Sequence, residues 1–180
     1  MILGLTTSTF TQLHVLISLV GIGSGLVVMY GLLTAIRLNR WTMLFLVSTA
    51  LTSITGFFFP NEHITPGIVV GVLSLIVLTV AVVGRYALRL SGAWRSIYVI
   101  SASVALYFNV FVLVVQSFEK VPALRALAPT QKEPPFAITQ LLVLAAFAVA
   151  TARAVKRFHP DAGAGNSGTA SSTGIRNRAA

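Results

Sequence analysis

Long apolar stretches, separated by short polar connections, run through the first 158 residues of the chain. A helix needs about 20 mostly apolar residues to cross a bilayer, and continuous apolar runs favour helices over the alternating strands of a barrel. Five stretches free of Asp and Glu qualify, at about 13–36, 41–59, 64–84, 94–116 and 136–155. The pattern therefore predicts an all-α, polytopic membrane bundle of five transmembrane helices within residues 1–158.

The end of the chain has a different composition. Residues 159–180 are rich in Gly, Ala, Ser and Thr and contain almost no large apolar side chains. Such a segment cannot bury enough apolar surface to offset the entropy lost on folding. It is predicted to be a disordered tail.

The distribution of charge predicts an orientation. Only 9% of the residues are charged and mean hydropathy is +0.86, whereas soluble domains average about 25% charged residues. Basic residues concentrate in the first and third connections and around the end of the last span: Arg37, Arg40, Arg85, Arg89, Arg95, Arg153, Lys156, Arg157, Arg176 and Arg178. The positive-inside rule places these residues in the cytoplasm, the C-terminus with them and the N-terminus outside. The net charge of +9 is thus a topology signal with some attraction to anionic lipid, and it argues against nucleic-acid binding.

The residue content gives little support for catalysis. The chain has no cysteine, which excludes disulfides, thiolate metal sites and cysteine nucleophiles. It contains no HExxH motif and no recognisable Ser–His–Asp grouping. The sequence leans against an enzyme.

Small residues form stripes along several predicted spans. Thr11, His14, Ser18, Gly21 and Gly25 recur at helical spacing in the first span, and Ala146, Ala150 and Ala154 do so in the last. Small side chains let helix backbones approach closely, so these stripes are expected to face neighbouring helices.

A few polar residues inside the spans are candidates for a ligand pocket: His14, Asn109, Gln116 and Gln140. Asn109 falls near the middle of its span, where an unpaired amide would cost several kcal/mol. Two interpretations remain open. The amide either makes a hydrogen bond to another helix or forms the floor of a pocket that opens on the outer side.

A second group of polar residues lies in the predicted outer connections and forms an outer-face polar cluster: Glu62, His63, Glu119, Lys120 and Glu133. His14 and His63 are the candidate ligands for a metal ion or a haem. A quinone would need only a histidine or amide donor and apolar walls. The sequence requires none of these cofactors, and their identity stays unknown.

Three segments resemble a family of small multi-span bacterial inner-membrane proteins of uncharacterised role. They are NVFVLVVQSFEKVPALRALAPTQKEPPF at 109–136, LHVLISLVGIGSGLVVMYGLL and TSITGFFFP. The resemblance covers about residues 12–158. It implies a multi-pass protein of the bacterial cytoplasmic membrane and implies no activity.

The leading hypothesis from the sequence is a non-enzymatic accessory or scaffold protein whose periplasmic face engages a partner or lipid. One alternative is a redox-associated protein that binds a quinone, haem or metal near that face. Another is a small-solute transporter or channel subunit, although no acid, Lys or Arg lies in the middle of a span. The expected partners are the lipid bilayer and either another membrane protein or further copies of the chain.

Overall fold

The computed structural model describes residues 2, 4–59 and 65–159. Its elements are helices: α1 Thr7–Leu33, α2 Asn39–Gly56, α3 Pro66–Val82, α4 Trp94–Lys120, α5 Pro122–Leu127 and α6 Pro134–Arg157. A π-helical turn, Val83–Ala87, extends α3. The predicted disordered tail lies outside the described residues except for His159, as do Glu62 and His63.

The all-helical prediction is confirmed, but the number of evident spans differs. Four helices in the described ranges are long and apolar enough to cross a membrane: Thr7–Leu33, Pro66–Ala87, Trp94–Lys120 and Pro134–Arg157. The second predicted span, at 41–59, corresponds to α2, which is 18 residues long and is not among the four. Its composition explains the difference, because it begins with Asn39 and Arg40 and carries six Ser or Thr residues.

Helix ends deviate from the predicted bounds where local capping decides them. α1 begins at Thr7 rather than Leu13, because the Thr6 side chain accepts a hydrogen bond from the Thr9 backbone at 3.2 Å and so satisfies a free N–H group. α3 begins at Pro66 rather than Ile64, with Thr65 as the capping residue. α4 continues to Lys120 instead of ending at Gln116.

The core forms where α1, α2 and α4 meet. Phe45 of α2 and Ala105 and Leu106 of α4 are almost fully buried. Gly25 of α1 faces them so closely that a Cβ atom there would lie 2.9 Å from the Phe45 ring. The glycine positions of the first predicted stripe therefore face neighbouring helices, as expected.

α6 lies at the edge of the bundle. It contacts α4 and α1, and Ala154 is its one buried residue. Ala150 is half-buried against the core, whereas Ala146 is exposed. The predicted alanine stripe is therefore wrong at Ala146, whose side chain does not face a neighbouring helix.

Contacts between the helices define two ends of the bundle. The Arg85 end comprises the α1–α2 connection, the π-helical turn, the start of α4 and the end of α6. The His14 end comprises the starts of α1, α3 and α6, the ends of α2 and α4, and α5. The connection between α4 and α6 contains the short helix α5.

Candidate functional site

His14 bonds to the neighbouring helix. Its Nδ1 lies 2.8 Å from the Thr55 hydroxyl of α2, and its ring stands edge-on to Phe59 with 5.2 Å between centroids. The side chain is half-buried. This arrangement fastens the start of α1 to the end of α2.

Asn109 is buried between three helices. Its Nδ2 donates to the Thr49 hydroxyl of α2 at 2.9 Å. Gly21 of α1 faces the same point, since a Cβ atom there would lie 3.6 Å from Nδ2. The amide thus has the partner that its burial demands.

The two glutamines occupy different surroundings. Gln140 of α6 donates from Nε2 to the Phe111 carbonyl of α4 at 3.3 Å. Its Oε1 is buried without a hydrogen-bond partner, as is the Thr52 hydroxyl of α2. Gln116 is exposed.

The structure distributes the four residues of the predicted ligand pocket over separate contacts. No hydrogen bond in the described chain joins any two of His14, Asn109, Gln116 and Gln140, and none of them lines the two cavities described below. A pocket built from all four stays a prediction.

The described members of the outer-face polar cluster bond locally. Lys120 pairs with its neighbour Glu119 at 3.0 Å, and both side chains are largely exposed. One carboxylate oxygen of Glu133 accepts from the Thr130 backbone at 3.1 Å and from its hydroxyl at 2.8 Å. The other accepts from the Lys132 backbone at 3.0 Å. Glu62 and His63 lie outside the described residues.

Glu133 is the charged group in this connection whose titration is clearly perturbed. Slight desolvation acts to raise the pKa of its carboxyl group. The hydrogen bonds from the Thr130 side chain and from backbone N–H groups together outweigh that effect, so the pKa lies below its ordinary value. The carboxylate therefore links Thr130 and Lys132 within the connection between α5 and α6.

No group of three or more His, Asp or Glu side chains within the described ranges could hold a metal ion. Because His63 and Glu62 fall outside those ranges, the metal hypothesis with His14 and His63 stays a prediction. The haem and quinone hypotheses do so as well.

A polar cluster that the sequence reasoning missed lies at the Arg85 end. Arg85 donates from Nη1 to the Tyr98 hydroxyl at 3.1 Å and from Nη2 to Asn39 Oδ1 at 2.6 Å. Its guanidinium also lies over the Tyr98 ring, 5.1 Å from the centroid. Tyr98 is fully buried, and Phe158 packs beside it at 6.3 Å between centroids.

One sequence signal pointed towards this cluster. Tyr98 lies near the start of the fourth predicted span, and a buried tyrosine hydroxyl normally has a hydrogen-bond partner. Three arginines, Arg85, Arg89 and Arg95, precede it in the connection, and only the folded structure selects Arg85 as the partner. The π-helical turn supplies the local geometry, and such turns are frequent at functional sites.

Two cavities lie at the surface of the bundle. One, of about 400 Å³, is at the His14 end and is lined by polar residues that include Glu119, Lys120 and Arg125. The other is a groove of about 510 Å³ between α4 and α6, with mostly apolar walls and Lys156 at one end.

Comparison of the chain with protein-family models, with curated proteins and with solved structures finds no match. The described part of the chain is an all-helical bundle with four helices long and apolar enough to cross a membrane.

Proposed function

We propose that the chain is a five-span protein of the bacterial inner membrane, with its N-terminus in the periplasm and its C-terminus in the cytoplasm. We propose further that it is a non-enzymatic accessory or scaffold protein whose periplasmic face binds a partner protein. The observation that carries the functional proposal is the folded connection between α4 and α6.

The hydrogen bonds made by polar groups of α2 support its assignment as a transmembrane span in addition to the other four. Ser48 and Thr55 donate their hydroxyl groups to backbone carbonyls one turn earlier, at 2.6 Å and 2.7 Å, and Thr49 accepts from Asn109. Side chains satisfied in this way can be accommodated in a bilayer. Eighteen residues reach about 27 Å, close to the roughly 30 Å of the hydrocarbon core.

Single-cysteine variants test this topology, because the chain has no cysteine of its own. Ile36→Cys and Ser91→Cys lie before α2 and after α3. If both helices span, the two positions are on the same side and resist a membrane-impermeant maleimide in intact cells. Ala126→Cys in α5 is then labelled. Labelling of Ile36→Cys and Ser91→Cys from opposite sides would show four spans and overturn the proposal.

The connection between α4 and α6 is attached to the bundle by burial and hydrogen bonds. Ala128 is buried beneath it, Gln131 donates to the Val115 carbonyl at 3.3 Å, and Glu133 fixes the approach to α6. Leu127 remains 58% exposed beside the polar cavity at this end. A fixed loop that joins apolar and charged side chains is typical of a binding surface.

A photo-crosslinking amino acid at Leu127 tests the function. We expect it to capture one discrete protein partner in cells. The control position is Leu142, which is 66% exposed on α6 and lies outside this connection. Adducts with lipid alone at Leu127, or identical protein adducts at both positions, would refute the proposed partner.

A further inference from the structure

The groove between α4 and α6 has the shape of an acyl-chain site. Its walls include Val104 and Tyr107 of α4 and Leu144, Ala148 and Ala152 of α6, and Lys156 lies at one end. Very little polar surface is exposed inside it, so a hydrocarbon chain would fill it without leaving polar groups unpaired.

The length of the groove matches one leaflet. Leu144 and Lys156 are 12 positions apart on α6, which corresponds to about 18 Å along a helix. Half of the hydrocarbon core is about 15 Å thick. If Lys156 is at the level of the headgroups, Leu144 is therefore close to the middle of the bilayer.

Contacts between α4 and α6 close the half of their interface that lies towards the His14 end. Phe118 and Phe136 pack edge-on with 5.4 Å between centroids, and Gln140 bonds to the Phe111 carbonyl. The open part of the interface is therefore about as deep as one leaflet, which suits an acyl chain.

The charge at the open end selects the headgroup. Lys156 is exposed there and has Arg153 and Arg157 beside it on the same helix end. The acidic side chains in the described ranges, Glu119 and Glu133, lie at the opposite end. A lysine can extend its ammonium group to the headgroup level while its methylene groups stay in the apolar groove.

We propose that this groove binds an anionic phospholipid, with one acyl chain against α4 and α6 and the headgroup phosphate on the Lys156 ammonium. The site is separate from the proposed partner surface at the His14 end. It rests only on the membrane setting, so either proposal can fail without the other.

Native mass spectrometry of the detergent-purified full chain, titrated with phosphatidylglycerol or phosphatidylcholine, tests the headgroup contact. The wild-type protein should retain phosphatidylglycerol more strongly. Lys156→Gln should weaken that binding about fivefold, the effect of one basic residue at a membrane surface. The matched control is Arg153→Gln. It removes an exposed charge one turn before Lys156, at a residue outside the groove, and should have a smaller effect.

A filling substitution tests the chain contact. Ala148 is exposed in the groove, so Ala148→Phe should occupy it and abolish retention of both lipids, whereas Ala145→Phe, outside the groove, should not. Unchanged melting temperatures show that the variants are folded. If the Ala148→Phe variant does not fold, Ala152→Leu replaces it as the filling substitution. Equal retention of both lipids by the wild type, or unchanged retention after filling, would overturn the proposal. Binding of a second copy in the groove would do the same.

Discussion

At the Arg85 end, side chains from the π-helical turn, α2 and α4 bond to one another around the buried Tyr98. At the His14 end, the charged side chains bond within their own connection and stay exposed, and His14–Thr55 is a side-chain bond between helices. The first arrangement fixes helix positions. The second leaves charged groups available to other molecules.

This contrast separates stability from function in a way that substitutions can test. A change at the Arg85 end should lower the free energy of unfolding, because buried partners lose their bonds. A change at the exposed part of the His14 end should leave stability almost unaltered and alter binding instead. The predictions below run from the largest effect to the smallest.

Tyr98→Ala should have the largest effect. It removes a fully buried ring and leaves a cavity, and such truncations of aromatic residues cost about 3–5 kcal/mol. Thermal unfolding in detergent, followed by tryptophan fluorescence, measures the loss. Tyr107→Ala, at a half-buried position on the same helix, serves as the control. A comparable loss for both variants would contradict the special role of Tyr98.

Arg85→Gln should have the next largest effect. The variant loses the charge-assisted hydrogen bonds to Tyr98 and Asn39, which are worth about 1.5–3 kcal/mol in stability. The same unfolding assay applies, with Arg89→Gln as a control that removes an equal charge from an exposed position. If the two variants unfold alike, the effect comes from net charge and the cluster does not stabilise the bundle.

His14→Phe should cost much less. It removes one hydrogen bond to Thr55, and Thr55 keeps its bond to the Leu51 carbonyl. Hydrogen bonds between membrane helices average about 0.6 kcal/mol. A loss as large as that of Arg85→Gln would show that His14 is part of a larger buried network.

The smallest effect concerns the pH dependence of the α5–α6 connection. Because the folded pKa of Glu133 is lowered, its stabilising contribution is present above the ordinary pKa of a glutamate. The contribution is lost as the pH falls through the lowered value. Carboxyl-carbon NMR of the protein in nanodiscs should show this titration, and Thr130→Val should raise the pKa. A Glu133 pKa at or above the ordinary value would contradict the hydrogen bonding described.

Much of the architecture could be predicted because it depends on patterns along one helix. Continuous apolar runs placed all five long helices. The contact of Gly25 with Phe45 followed from the rule that small residues face neighbours. The predicted starts of α1 and α3 were wrong because a single side chain caps each helix, Thr6 in α1 and Thr65 in α3.

The candidate site was harder to predict, because it depends on which side chains meet. Asn109 demanded a partner on energetic grounds, but only packing made that partner Thr49. Gln116 was grouped with Asn109 as a pocket candidate, but its side chain is exposed whereas that of Asn109 is buried. Arg85 contributes to the charge pattern that predicts the topology, but its contact with Tyr98 is evident only in the folded bundle.

The sequence by itself determined that the chain is helical, which stretches are apolar, and where its charges lie, because these properties depend on composition and spacing. Tertiary structure decided that Tyr98 is the centre of a cross-helix cluster, that α6 is peripheral, and that a groove lies between α4 and α6. Those features arise from the relative rotation and position of helices. Many arrangements of apolar helices satisfy the same hydrophobic pattern, and close side-chain packing selects one of them.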